Sequence, residues 1–81
     1  MKEVLLDATG LRCPLPIIRL AQAARTAPAG TVITLLSTDP AAEPDVAAWC
    51  RMRGAELLEQ HWLDGDGAAT LHSRIRTANQ T

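Results

Sequence analysis

Two cysteines and two histidines are the side chains of this 81-residue chain best suited to nucleophilic or metal chemistry, and one of the four stands apart. Cys13 lies in Asp7-Ala8-Thr9-Gly10-Leu11-Arg12-Cys13-Pro14-Leu15-Pro16, where a strand is expected to turn into a helix. Thr9-Gly10 supplies the turn. Pro14 suits the first helical position, because its fixed φ matches a helix and its missing N–H would have had no partner there. On this reading Cys13 is the N-cap of the first helix. A thiol at that position sits in the positive end of the helix dipole, which favours the thiolate. Pro16 has no N–H to offer it, leaving only that of Leu15. Arg12 is an adjacent cation that would restore part of the effect. A moderate lowering of the thiol pKa is therefore expected. Thiolate attacks sulfane sulfur and is the form that leaves a disulfide or persulfide, so the placement points to sulfur chemistry.

The other candidates are weaker. Cys13 and Cys50 are far apart and form no Cys-x-x-Cys, and two cysteines make no disulfide framework. Cys13, Cys50, His61 and His72 have no paired spacing of the kind zinc sites use. Cys50 shares a helical stripe with Val46 and Trp49 and reads as a buried thiol. His61 and His72 fall on expected strands as surface residues. Asp64-Gly65-Asp66-Gly67 lacks the ligand series and closing Glu of a calcium loop, and reads as a turn. No metal and no cofactor is expected.

The elements that must hold Cys13 follow from periodicity. Val4-Leu5-Leu6 is a short apolar run ending at Asp7. Pro14 to Thr26 has Ile17, Ile18, Ala21 and Ala24 at helical spacing, with Pro28 and Gly30 beyond. Thr31 to Ser37 is rich in β-branched residues and reads as a strand. A second helix is expected from about Ala42 to Arg53, with Gly54 closing it and Val46, Trp49, Cys50 and either Met52 or Arg53 bounding its buried side. Asp39-Pro40 breaks the strand before it, and Asp45 in its first turn complements the dipole. Leu57 to Leu63 and Ala68 to Ile75 form a hairpin. If Asp64 pairs with Gly67, Glu59 faces His72. The order is β-α-β-α-β-β, an α/β two-layer sandwich. Residues 1–76 read as one domain and 77–81 as a flexible tail.

Composition narrows the function. The formal charge of −1, with no Phe or Tyr, argues against direct nucleic-acid binding. No apolar run approaches the ~20 residues needed to span a membrane, and the N-terminus lacks a signal-peptide core. A cytoplasmic protein with reduced cysteines is expected.

The stretch Leu6 to Pro16, with its Gly-Leu-x-Cys-Pro-x-Pro core, resembles the signature of the TusA-like sulfur-carrier family, also called SirA-like. Thr38-Asp39-Pro40, Asp45-Val46-Ala47-Ala48-Trp49-Cys50, Gly54-Ala55-Glu56-Leu57-Leu58 and Arg74-Ile75-Arg76 agree in order and spacing. The chain departs from the family at Ala42, where Ser or Thr is usual, at Ala55, where His is common, and at His72-Ser73, where apolar residues are usual. The resemblance implies a four-stranded mixed sheet of order 1-2-4-3 with both helices on one face. It implies a sulfurtransferase-type carrier in which Cys13 bears a persulfide; Gly10, Arg12, Pro14 and Pro16 are expected to shape its loop. It further implies a cysteine desulfurase or rhodanese-like sulfur donor and a DsrE-like acceptor, serving tRNA thiolation, cofactor synthesis or sulfur oxidation; a monomer is expected. A selenium carrier, a non-catalytic regulatory module that docks on a partner, and an RNA binder are the alternatives.

Overall fold

Alternation decides which side of each strand is covered. The computed structural model describes residues 3–65 and 69–78. β1 (Glu3–Ala8), α1 (Leu15–Thr26), β2 (Val32–Ser37), α2 (Ala42–Arg53), β3 (Glu56–Asp64) and β4 (Ala69–Arg76) follow in that order. The sheet order is β1-β2-β4-β3, with β1 parallel to β2 and β4 antiparallel to both of its neighbours. This is the two-layer α/β sandwich expected, with both helices on one face. Val4, Ile33, Ile75 and Leu57 lie in one cross-strand row beneath the helices. Together with Leu6, Leu35 and Ala8 they meet Leu20 and Ala24 of α1 and Val46 and Cys50 of α2 in a single core.

Among the described residues no helix covers the opposite sheet face. Leu5 is 69% exposed there, and Arg74–Glu59 and Arg76–Glu56 pair across β4 and β3 at 2.7 and 2.9 Å. Such exposed pairs set strand register more than they add stability.

α2 has the limits expected of it. Gly54 closes it at φ +72°, a left-handed conformation that only glycine adopts freely, and its N–H donates to the Cys50 carbonyl. The start of α2 is tied to β3. Trp62 Nε1 donates to Glu43 Oε1 at 3.3 Å, and Gln60 Nε2 donates to the Glu43 carbonyl at 3.1 Å.

Several expectations are corrected. In α1 the buried residues are Pro16, Leu20 and Ala24, whereas Ile18 is 44% exposed. The helix is turned so that the stripe through Leu20 faces the sheet. Met52 is 81% exposed and Arg53 is exposed too, so α2 buries only Ala42, Val46 and Cys50, with Trp49 half-buried. The hairpin register differs from the expected one because it closes on Asp64 and Ala69, and the pairing shifts between Leu57 and Glu59. Glu59 thus faces Arg74, and His61 faces His72. The two imidazoles stack with centroids 5.4 Å apart. Asp66 and Gly67 of the expected turn lie outside the described residues.

Thr31 precedes β2 and does not belong to it. Its N–H donates to Thr77 Oγ1 at 3.0 Å, and Thr77 N–H donates to the Thr31 carbonyl at 2.8 Å. Thr77 is therefore buried and fully engaged, where the sequence suggested the start of a loose tail. Residues 79–81 of that tail lie outside the described residues.

Candidate functional site

Two parallel neighbouring strands, each followed by a helix, deliver their outgoing loops to the same sheet edge. The β1–α1 and β2–α2 loops meet there, the position at which open α/β sheets usually build sites. Each contributes a polar turn. Asp7 Oδ1 accepts from Thr9 N–H at 3.0 Å and from Thr9 Oγ1 at 2.7 Å. These bonds, led by the backbone one, hold its carboxyl below the usual carboxylate range. Leu11 N–H returns to the Ala8 carbonyl at 3.2 Å, and Gly10, at φ +81°, makes the left-handed turn between them.

Hydrogen bonds then sew the two loops together. Gly10 N–H donates to Thr38 Oγ1 at 2.9 Å, and Cys13 N–H donates to Asp39 Oδ2 at 2.8 Å. The other Asp39 oxygen, Oδ1, accepts from Ala41 N–H at 3.0 Å. The Cys13 and Ala41 N–H groups depress the Asp39 pKa, with the Arg12 charge adding to their effect. Asp39 thus fixes the thiol-bearing loop and the entry to α2 at once. An open recess of about 390 Å³ runs beside Cys13, lined by Gly10, Leu11, Arg12, Thr38, Asp39 and Pro40.

Cys13 itself is exposed and unpaired, but it is not the N-cap of α1. The cap position is Pro14, at φ −99° and ψ 13°, and the helix begins at Leu15. The donors an N-cap thiol would use are unavailable. Leu15 N–H donates to the Arg12 carbonyl at 2.8 Å, Pro16 has no N–H, and Ile17 N–H donates to the Pro14 carbonyl at 3.1 Å. Cys13 Sγ instead donates to Asp45 Oδ2 at 3.1 Å. That bond stabilises the neutral thiol. With desolvation and the negative charges of Asp45 and Asp39, it pushes the Cys13 pKa up. The expected lowering is therefore overturned in sign. The Arg12 guanidinium acts on Asp39 instead.

Of the loop residues picked out from the sequence, Gly10 and Arg12 line the recess. Pro16 is buried in the first turn of α1 and Pro14 is exposed at its cap. Cys50 lies in the core, where burial raises its thiol pKa. His61 and His72 are on the open sheet face, on strands away from the Cys13 loop. Sequence reasoning missed Asp39 and Asp45 as part of the site, reading one as a strand breaker and the other as a dipole partner. The available signal was topological, since both follow a strand parallel to β1 and so belong at the same edge as Cys13.

Comparison with known proteins matches this arrangement to one family. The family described as Sulfurtransferase TusA matches residues 4–72. A protein of Neisseria meningitidis, described provisionally as a sulfur carrier protein, is 45% identical over 65 residues, covering 80% of this chain and 88% of that one. A sulfur carrier protein TusA of Pseudomonas putida is 41% identical over 58 residues, 72% of each chain. The crystal structure of a SirA-like protein from Desulfitobacterium hafniense superposes with a TM-score of 0.67. It covers 91% of this chain and 97% of that one, and at 24% identity it establishes the fold.

Proposed function

The chain belongs to the TusA family of sulfurtransferases, and on that premise we propose that Cys13 is the atom-carrying residue of a persulfide carrier. The observation that carries this reading is an exposed, unpaired thiol on a loop pinned at its own backbone N–H by Asp39. An exposed carrier atom suits protein-to-protein transfer, because each partner must reach the sulfur and no deep pocket could admit it.

Loading is a displacement. Cys13 Sγ attacks the outer sulfur of a donor persulfide R–S–SH, a new S–S bond forms at Cys13, the donor S–S bond breaks, and the donor leaves as a thiolate. The proton given up by Cys13 returns to that thiolate, so Cys13–SH and R–S–SH become Cys13–S–SH and R–SH with no net oxidation. Unloading repeats the step with an acceptor thiolate attacking the outer sulfur and Cys13 leaving. Gly10 gives the loop its turn, Asp39 holds its amide, Pro14 and Pro16 stiffen its exit into α1, and Arg12 balances Asp39. Donors of the cysteine desulfurase or rhodanese-like class and DsrE-like acceptors in the cytoplasm fit this scheme. No helix among the described residues is long and apolar enough to cross a membrane.

The test is intact-mass measurement after incubation with a cysteine desulfurase and cysteine. The expected result is gain of one reducible sulfur atom, lost in Cys13→Ser and retained in Cys50→Ala. Absence of any gain across desulfurase, rhodanese and polysulfide donors would overturn the reading in favour of a regulatory docking module.

A further inference from the structure

A carrier thiol gains from being easy to ionise, yet this one is held by a carboxylate. Cys13 Sγ donates to Asp45 Oδ2 at 3.1 Å, and its backbone N–H is held by a second carboxylate, Asp39. The charged groups that act on the sulfur are Asp45 from α2 and Asp39 from the β2–α2 loop, while Arg12, from the thiol's own loop, acts on Asp39. Among the described residues, neither a helix amide nor a cation is hydrogen-bonded to the sulfur. Asp45 is held where it is by the docking of α2 on β3 through Glu43, Gln60 and Trp62.

Resting on the reading of Cys13 as the sulfur-bearing residue, we propose that Asp45 is a positioning residue that keeps Cys13 in its thiol form in the free carrier. Transfer then waits for a protein partner that brings a cation against Asp45. The same carboxylate governs both half-reactions. A protonated Cys13 is a poor nucleophile towards sulfane sulfur. As a leaving group, a thiol of high pKa departs slowly, so loaded sulfur is retained until an acceptor docks. The raised Cys13 pKa agrees in direction with this arrangement.

The test is the rate of Cys13 alkylation by iodoacetamide against pH, read by peptide mass on the full chain. The reagent is neutral, so the acidic rim neither attracts nor repels it. In Asp45→Asn the profile is expected to move to lower pH, with alkylation at neutral pH roughly threefold faster or more. Asp45→Ala removes the charge without adding an amide donor and is expected to move it the same way, which covers the case where the Asn variant folds poorly. Glu3→Gln, which removes a carboxylate at the start of β1, the strand end opposite the Cys13 loop, is expected to leave the profile in place. Coincident wild-type and Asp45-variant profiles would reduce Asp45 to a helix-surface residue. A shift to higher pH would make it a proton acceptor, and either result overturns the proposal. Alkylation needs no bound sulfur, so it stays informative even if the loading assay fails.

Discussion

Cys13 lies in an exposed turn with its S–H on a carboxylate, whereas Cys50 lies on α2, 3% exposed, among the apolar side chains that join the helices to the sheet. Both thiols are harder to ionise than a free cysteine, by unlike means. Burial suppresses Cys50, and only unfolding can remove that effect. A hydrogen bond from an exposed thiol to Asp45 leads the suppression of Cys13, and on the proposal above a partner's charge removes it. The same direction of shift thus describes an inert structural thiol in one place and a conditional one in the other. Position, more than residue type, separates packing from chemistry in this chain.

The comparison is sharpened most by reagent access. In the native protein a small alkylating reagent should modify Cys13 alone, and Cys50 should react only once denaturant is added. Peptide mass fingerprinting reads this directly, and comparable native labelling of the two would break the contrast. Next in size is the effect of making Cys50 polar. Cys50→Ser puts a hydroxyl among the apolar side chains of the core, so it should lower stability by about 1–3 kcal/mol in denaturant titration, while Cys13→Ser should leave the midpoint nearly unchanged. Equal losses would mean that Cys13 is also a packing residue. The smallest effect concerns pH. The Asp39 carboxyl is depressed by the amides it holds, so the folded state favours its ionised form. That contribution is complete above the ordinary aspartate pKa and is lost as pH falls through the lowered value. Asp39→Asn should therefore flatten the acid limb of the stability profile and leave its alkaline side unmoved. An unchanged acid limb would show that the loop pin is idle.

Much of this was legible in the residues. α2 was readable to the residue, because Asp39-Pro40 stops the strand before it and Gly54 supplies the left-handed exit. The place of Cys13 on an exposed loop between β1 and α1 was readable in its flanking Gly10 and Pro14. The sign of its electrostatics was not, since that depends on Asp45, a residue distant in sequence and brought near only by the parallel pairing of β1 and β2. Local pattern placed Cys13 in a helix dipole, and tertiary contact put it on a carboxylate. The hairpin register was hidden for a related reason. Turn residues suggested closure at Asp64 and Gly67, but the irregularity between Leu57 and Glu59 and the ion pairs of Arg74 and Arg76 are properties of the assembled sheet. The engagement of Thr77 with Thr31 is again a long-range pairing with no local signal.

The strand that comes last in the chain is not last in the sheet. β4 stands between β2 and β3, so two of the three strand pairings wait for residues 69–76. Its pairing with β3 is a local hairpin, of a kind that forms in about 1–10 μs. Its pairing with β2 must close a loop that contains all of α2 and β3, and distant pairings of this sort set the pace of folding. Until that closure, β1 and β2 have only each other, and the edge that will carry Cys13 has no finished sheet beneath it. A chain cut before Ala69 would therefore lose the partner of two strands at once, and assembly is expected to be all-or-none around that single segment.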